Sequence, residues 1–412
     1  MAWPEDANRP DSVAYDMGSG TAGIVIYFLS LHAATGNERF LETAEQGGIY
    51  LASLLDDADV FGAGSRRASL YAGIAGIGVA LELLAEHRPA FSADVDKVVA
   101  LLADWSVTGP AGAHWSDDYN DLLYGDAGTI LFLAWRAHRH DDARAMKLAI
   151  AASHFLTSQA ESASGARYWR FRRSKPFNLP GFSHGTSGIA YVLGTVGLLA
   201  NEAKFTNAAA EGFAYLDSIA LVDGERIRIP YGWPVETWEG LYEFGWAHGL
   251  VGSHAFFTRM QQLGIRADEA ARYKALIIDT LSGIGLPADP DEPFAEPPTP
   301  YDWRFGRASV LALLSDYGGN GVETRDAIWR ELDNKASREK GMAHWPVDAP
   351  EFMGGGRAAF IGRLHGTADI GFALLRLHAA LTEHQPYVAL PDDPIAWSID
   401  KSNSKTDSPA TE

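Results

Sequence analysis

The stretch Gly181-Phe-Ser-His-Gly-Thr-Ser-Gly-Ile-Ala-Tyr-Val-Leu193 joins a histidine, two glycines three residues apart and the start of an apolar run. The apolar residues from Ile189 to Val196 recur at helical spacing, which predicts a helix that opens at the glycines. Glycines at this point let the start of the helix approach other backbone closely. His184 therefore lies just before the positive end of a helix dipole.

The same glycine motif recurs along the whole chain. Its seven copies begin at Gly20, Gly73, Gly125, Gly185, Gly249, Gly306 and Gly366. The last two copies have Ser309 and Asp369 in place of the second glycine. Each copy leads into an apolar helix of about three turns, for example over residues 74–84 and 129–138. The chain is therefore a repeat array.

A second, more amphipathic helix follows most copies. We predict such helices over residues 38–55, 92–105, 141–158, 202–219, 267–281 and 324–335. A two-helix unit cannot bury its apolar face alone, so the units must stack or close into a ring. The first helices are apolar nearly all round, which favours full enclosure. We therefore predict an all-α protein, an α/α toroid of seven inner helices and six or seven outer helices.

The connecting loops are rich in glycine, proline, tryptophan and acidic residues. Two strand-like runs, residues 168–173 and 226–231, predict short hairpins. Because seven inner helices face only six convincing outer ones, one side of the ring should be exposed or covered by another chain. We expect a single domain over residues 1–398 and a disordered polar tail over 399–412.

Composition narrows the classes of function. The 412-residue chain has a formal net charge of −19, which argues against nucleic-acid and anionic-membrane surfaces as partners. It has no cysteine, which removes disulfides, thiolate metal ligands and a cysteine nucleophile. The sequence shows no signal peptide and no apolar stretch of the roughly 20 residues that span a membrane. We expect a cytoplasmic protein.

The motifs resemble the lanthionine synthetase C-like (LanC-like) family over roughly residues 15–385. The segments that carry the resemblance are residues 121–128, 181–188, 246–249 and 362–377. The resemblance implies an α/α toroid of seven helix pairs. It also implies a zinc enzyme that adds a cysteine thiol of a precursor peptide to a dehydroalanine or dehydrobutyrine, making a thioether ring. The missing outer helix suggests work beside a separate kinase or lyase protein.

The sequence departs from this family at the zinc ligands. Alanine stands at position 247, where the resemblance implies the first cysteine ligand. Counting copies places Arg304 and Phe305 at the family's Cys-His pair, whereas matching by text places Leu364 and His365 there. We prefer the copy count, and both thiolates are absent either way. Class III lanthipeptide synthetases contain zinc-free LanC-like domains, so we predict a zinc-independent site without a cofactor.

A three-histidine zinc site is the alternative. His184, His248 and His365 each precede an inner helix, and zinc accepts three or more nitrogen, oxygen or sulfur ligands. The copies that carry them are not all adjacent around a ring, which counts against this arrangement.

Thiol addition requires a base or field that favours the thiolate, and an acid that protonates the α-carbon. The resemblance places His184 at the position of the histidine that handles this proton. Asp121 is a candidate to orient His184 or take a proton, and a plain helix-entry aspartate is the alternative. His248 and Arg304 are candidates for managing the thiol, with structural roles as their alternatives. Asp126 reads as a capping or first-turn residue.

Further residues at or near these motifs are candidates for substrate binding. They are Tyr124, Arg170, Trp246, Trp303 and His365. Arg170 belongs to a local basic patch with Arg172 and Arg173, which could hold an acidic leader peptide or form a solvated hairpin face.

Two other functions stay open at this level. A non-catalytic toroid could bind a peptide and present it to a kinase or lyase. A carbohydrate-active α/α toroid could use paired acids such as Glu236 and Glu239, because glycosidases work with two carboxylates.

Overall fold

Helices in two concentric layers make up most of the structure, a computed structural model that describes residues 1–163, 165–238, 241–283, 303–317, 321–339, 342–348, 357–364, 366–382 and 388–399. Within these residues thirteen α-helices follow one another. They are α1 (Thr21–Thr35), α2 (Glu38–Leu54), α3 (Ile74–Ala85), α4 (Ser92–Trp105), α5 (Asp126–His140), α6 (Ala143–Ser158), α7 (Thr186–Leu199), α8 (Ala203–Ile219), α9 (Leu250–Gln262), α10 (Ala267–Ser282), α11 (Trp303–Asp316), α12 (Val322–Lys335) and α13 (Thr367–Thr382).

The odd-numbered helices form a closed inner ring. Each contacts the next in order, and α13 contacts α1, so the ring has no free end. The even-numbered helices pack outside, each against the inner helix that precedes it. The predicted α/α toroid with seven inner and six outer helices is therefore confirmed within the described residues. The inner layer is enclosed as expected, and every residue from 186 to 197 of α7 is buried.

Contacts with the preceding loop require the second glycine in the five copies that have one. A Cβ on Gly188 would lie 1.9 Å from the carbonyl oxygen of Phe182, and one on Gly128 would lie 2.1 Å from that of Leu122. The loop also satisfies N–H groups that the first helical turn leaves unpaired. In α7 the Thr186 N–H donates to the Leu179 carbonyl at 3.2 Å. The close approach expected from the sequence is thus made by the helix's own loop.

Backbone hydrogen bonds link these loops around one end of the toroid. Each bond joins residues two positions before the first glycine of successive copies, and we call these residues the mouth ring. The donor–acceptor pairs in the described residues are Leu364 to Gly18, Gly18 to Tyr71, Tyr71 to Leu123, Leu123 to Ser183, and Ser183 to Ala247, at 2.9–3.2 Å. Leu364 therefore belongs to the seventh copy, beside the first. This supports the copy count, which assigns Arg304 to the sixth.

Six two-stranded antiparallel sheets lie in the loops of the described residues. Their strands are β1 (Pro4–Asp6), β2 (Arg9–Val13), β3 (Val107–Gly109), β4 (Gly112–His114), β5 (Glu161–Ala163), β6 (Ala166–Tyr168), β7 (Leu221–Asp223), β8 (Arg226–Arg228), β9 (Ser337–Glu339), β10 (Met342–His344), β11 (Val347–Asp348) and β12 (Arg357–Ala358). Both predicted hairpins form. The run 168–173 contributes only Tyr168 to the hairpin, because the backbone that follows pairs with residues 118–120 instead: Asn120 N–H donates to the Phe171 carbonyl at 2.9 Å.

The N-terminal hairpin ties the seventh copy to the first. Ala7 N–H donates to the Ala359 carbonyl at 2.9 Å, and Ile361 N–H donates to the Glu5 carbonyl at 3.1 Å. No outer helix follows α13 in the described residues. What covers that side of the ring therefore stays a prediction.

The C-terminal segment, residues 388–399, packs between the inner helices. Tyr191 on α7 donates to the Pro391 carbonyl at 3.0 Å, and Arg259 on α9 donates to the Trp397 carbonyl at 2.9 Å. Asp392 accepts a hydrogen bond from the hydroxyl of Tyr71 in the mouth ring. Ile399 is buried. Residues 400–412, the rest of the expected tail, lie outside the described residues.

No helix in the described residues is both long enough and apolar enough to cross a membrane.

Candidate active site

Three predicted site residues stand side by side at the mouth of the toroid. Tyr124, His184 and His248 each precede the first glycine of the third, fourth and fifth copies. Ring centroids lie 5.3 Å apart between Tyr124 and His184, and again 5.3 Å between His184 and His248. The bonds of the mouth ring set this spacing, because they hold the preceding residues of adjacent copies together.

Asp121 orients His184 through a contact with the ring nitrogen Nδ1. Its Oδ2 atom lies 2.5 Å from His184 Nδ1, and the carboxylate is fully buried. Oδ1 accepts the Tyr124 backbone N–H at 3.3 Å, which fixes the carboxylate in turn. With an ionised aspartate, Nδ1 carries a proton and donates it in this hydrogen bond. The other nitrogen, Nε2, then points away from Asp121, and 14% of the imidazole side chain is exposed.

His248 has a different environment from His184. It is 3% exposed, and the Tyr231 ring lies 4.5 Å from its own. Burial, and then the nearby His184, lower the pKa of His248 well below its ordinary value. His248 is therefore neutral at neutral pH and a weak base.

Aromatic side chains that sequence reasoning did not single out surround this pair. Phe171 lies 5.2 Å from His184, between ring centroids. Tyr231 contacts Trp238 at 5.0 Å, and Trp238 contacts Phe177 at 5.6 Å. These residues come from two loops whose aromatic content was visible in the sequence. Which rings would meet the histidines was not, because no spacing rule relates separate loops.

Glu243 is an acidic residue that was not among the site residues predicted from the sequence. It lies in the loop that leads to His248, and its backbone carbonyl accepts the Leu250 N–H at 3.3 Å. The side chain is buried, and burial raises the pKa of its carboxyl to about 7.

Trp246 and Arg170 lie away from the imidazoles. The Trp246 ring packs between Tyr71 and Phe182, at centroid distances of 5.4 and 5.6 Å, so it contributes to the interior below the mouth. Arg170 turns to Glu161, with 2.6 Å between Nε and Oε1.

The rest of the basic patch is also neutralised. Arg172 Nε lies 2.6 Å from Asp118 Oδ2, and Arg173 Nη2 lies 3.7 Å from Asp126 Oδ2. The three arginines of the patch therefore form ion pairs with neighbouring carboxylates.

Asp126 has the first-turn role expected of it. Its carboxylate accepts the backbone N–H groups of Trp115 and Ser116 at 2.8 and 3.1 Å. Burial raises the pKa of Asp126 to about 7.

The side chains of several predicted site residues lie outside the described part of the chain. Trp303 and Arg304 belong to the first turn of α11, but their side chains lie outside the described residues. His365 and Glu239 lie outside them entirely, and Glu236 is exposed on a short turn at Val235–Thr237.

The donors present do not fit the zinc site that the resemblance implied. Ala247 offers a methyl group where a thiolate would bind, and its carbonyl accepts the Ser183 N–H at 2.9 Å. His184 binds Asp121 through Nδ1, so Nε2 is the one nitrogen it could offer to a metal. Among the described residues no group of three or more His, Asp or Glu side chains is arranged to hold a metal ion. A catalytic zinc needs three protein ligands, so we derive no step through zinc.

Comparison with known proteins agrees with this architecture. The family model described as "Lanthionine synthetase C-like protein" matches residues 11–279. No curated protein matches the sequence significantly.

Among solved structures, "Nisin cyclase" is similar with a TM-score of 0.60 and 13% identity, covering 92% of this chain and 91% of that one. At this identity the likeness shows a shared fold alone. The α-1,6-mannanase GH76A from Salegentibacter sp. HEL1_6 has a TM-score of 0.40 and 13% identity, covering 69% of this chain and 82% of that one. The unsaturated glucuronyl hydrolase from Bacillus sp. GL1 has a TM-score of 0.42 and 13% identity, covering 94% and 93%. The last two scores are too low to support an argument.

Proposed function

Because this chain belongs to the lanthionine synthetase C-like family, we propose that it is a zinc-independent cyclase that forms thioether rings in a dehydrated precursor peptide. The observation that carries this proposal is the pair of Asp121 and His184 at the mouth of the toroid, with 2.5 Å between Oδ2 and Nδ1. A buried carboxylate that orients an imidazole is a general arrangement for moving a proton at a chosen atom.

The reaction needs no net proton and no oxidant. The cysteine sulfur forms a bond to the β-carbon of the dehydroamino acid, and the π electrons move to the carbonyl as an enolate. One proton leaves the sulfur and one arrives at the α-carbon. We assign both transfers to Nε2 of His184, which takes the thiol proton and returns it to carbon. Asp121 stabilises the imidazolium that exists between the two steps.

This assignment changes the role of His248. The sequence offered it as a base for the thiol, but its lowered pKa makes the neutral imidazole a weak one. In the proposal His248 stays neutral and forms a wall beside His184. Tyr124 forms the other wall. We also keep the proposal from the sequence that Arg304 stabilises the thiolate, which is compatible with proton transfer by His184.

The proposed partner is a precursor peptide whose serine or threonine residues have been dehydrated elsewhere. The seventh inner helix is followed by no outer helix in the described residues, and we propose that a separate kinase or lyase protein works beside this one. A cytoplasmic location is proposed with it.

Mass spectrometry of a dehydrated peptide tests the function. The peptide carries one cysteine and one dehydroalanine, and a thiol-alkylating reagent traps the cysteine that has not reacted. We expect the protein to reduce trapping, and His184→Ala to restore it to the level without protein. Equal trapping with and without wild-type protein would refute the cyclase. If wild-type protein showed no turnover, and the peptide still bound equally to it and to His184→Ala, the protein would be a non-catalytic peptide-binding toroid.

A further inference from the structure

An arginine that the mechanism does not use stands beside the site. Arg66 precedes α3, and its guanidinium carbon lies 4.3 Å from the centroid of the Tyr124 ring and 5.0 Å from that of Tyr119. Its Nη2 donates to the Tyr119 hydroxyl at 2.8 Å. Two tyrosines thus hold the planar cation by its face and by one N–H.

The backbone that carries Arg66 is also fixed. The Arg66 carbonyl accepts the N–H of Ser69 at 3.0 Å and its hydroxyl at 2.8 Å. The neighbouring Arg67 carbonyl accepts the Ile74 N–H at 2.8 Å, at the start of α3. Little side-chain or loop entropy remains to be lost when an anion binds to this cation, so the group is preorganised.

The charge of Arg66 is not neutralised as that of the nearby Arg172 is. Arg172 lies over the other side of this tyrosine cluster, 4.9 Å from the Tyr119 centroid, and is paired with Asp118 at 2.6 Å. Arg66 is exposed, and it has no carboxylate partner in the part of the chain that the structure describes. The chain as a whole has a net charge of −19 and would repel an anion. An oriented cation that has no carboxylate partner among the described residues provides a local position at the mouth where an anion can bind.

We propose that Arg66 binds an acidic side chain of the substrate peptide and so selects peptides that carry one near the reacting residue. The proposal rests on the proposed function, because it takes the ligand to be a peptide. A guanidinium fork matches a carboxylate in shape, and it keeps free N–H donors beyond the one that Tyr119 uses.

Distance limits where the acidic residue must be. The ring contacts of Tyr124 with Arg66 and with His184 place the guanidinium carbon no more than about 10 Å from the imidazole centroid. An extended peptide advances about 3.3–3.6 Å per residue. The acid should therefore lie within about three residues of the dehydroamino acid that His184 serves.

The test uses short synthetic peptides with one dehydroalanine and no cysteine, so that binding is measured without turnover. One glutamate is moved through the three positions on either side of the dehydroalanine, and each peptide has a twin with glutamine at that place. Calorimetry gives the dissociation constants on the wild type, Arg66→Gln, Arg66→Lys and Arg67→Gln. Arg67 is the matched control, because its guanidinium lies over Trp105, at 4.4 Å.

We expect at least one position where the glutamate peptide binds about 10-fold tighter than its twin to the wild type and to Arg67→Gln. Arg66→Gln should lose this preference, and Arg66→Lys should keep part of it. The preference should shrink as salt is added. Equal binding of all twins to the wild type would overturn the inference, and so would a preference that survives in Arg66→Gln.

The outcomes separate this inference from the cyclase proposal. The protein could fail the trapping assay and still show a charge preference that depends on Arg66. That result would support the peptide-binding site and refute the cyclase reaction. Ring formation without any charge preference would support the cyclase reaction and refute the Arg66 site. Because the wild-type comparison involves no variant, it remains decisive even if Arg66→Gln fails to fold.

Discussion

Asp121 and His184 are 63 residues apart in the chain, and yet Oδ2 of the one lies 2.5 Å from Nδ1 of the other. The contact exists because the loops of the third and fourth copies are joined by backbone hydrogen bonds, in which Leu122 and Leu123 donate to the Ser183 carbonyl at 3.2 Å. The fold therefore builds the pair from two repeats, and neither repeat contains it alone.

Removing the charge of Asp121 should slow ring formation. In Asp121→Asn the imidazole keeps a neighbour of the same shape but loses the charge that stabilises its protonated form. We expect the single-turnover rate to fall about 100-fold or more, the usual contribution of a positioned acid–base group, with little change in peptide binding. Asp117→Asn is the control, since this carboxylate is 96% exposed. An unchanged rate in Asp121→Asn would contradict the proton-transfer scheme.

Glu243 should make the protein less stable as the pH rises. Burial raises its pKa to about 7 in the folded state, so between the unfolded value and pH 7 the folded protein holds a proton that the unfolded chain releases. The stabilisation is present at low pH and is lost as the pH rises through 7.

Glu243→Gln removes this dependence. Relative to the wild type, its free energy of unfolding should be higher by on the order of 3 kcal/mol at pH 8 and by roughly 1 kcal/mol at pH 5. Urea titrations at both pH values give the comparison. Glu236→Gln, at an exposed position, should show no such trend. A variant that is equally destabilised at both pH values would show that the carboxyl is not buried as described.

The second glycine of the motif should not tolerate a methyl group. In Gly188→Ala the new Cβ would lie 1.9 Å from the Phe182 carbonyl oxygen, and backbone on both sides would have to move. We expect the free energy of unfolding to fall by at least about 2 kcal/mol. Gly109→Ala is the control, because nothing lies within 4 Å of its Cβ, and it should cost less than about 1 kcal/mol. Similar chemical denaturation curves for the two variants would refute the close approach.

The C-terminal segment should stabilise the inner ring. Trp397 is 7% exposed, its carbonyl accepts from Arg259, and its ring lies 6.1 Å from that of His138 on α5. Trp397→Ala should lower the free energy of unfolding by about 3–5 kcal/mol. Ser398→Ala changes an exposed neighbour and should leave the melting temperature almost unchanged. If both variants melted like the wild type, the segment would not be part of the folded ring.

The repeat pattern carried most of the fold. Glycine pairs and apolar periodicity predicted the inner and outer helices, and the bounds of α4, Ser92–Trp105, match the expected range. The largest difference is in α5, which begins at Asp126 rather than at residue 129. Its first turn contains an aspartate and a glycine, which weaken an apolar helical pattern. In the structure that turn is supported by loop carbonyls instead, because Asp126 and Ala127 donate to those of Tyr119 and Asn120.

The sequence predicted only part of the candidate active site. Motif position identified His184, His248 and Tyr124, because each copy puts the same place at the mouth. It did not show that Trp246 turns to Tyr71, that Arg170 turns to Glu161, or that burial makes His248 a weak base. Those properties depend on neighbours contributed by other loops. Arg66 does not belong to any of the motifs found in the sequence, so the sequence did not identify it as a site residue.

By itself, the sequence determined that seven glycine-opened helices must enclose one another, since local periodicity and the need to bury apolar surface act within each repeat. It also determined that no thiolate can bind a metal here. Only the tertiary structure decided which side chains of different repeats touch, which are charged and which cations are left unpaired. The physical reason is that a pKa and an ion pair depend on distances of a few ångströms and on exclusion of water, and both arise only when the ring closes.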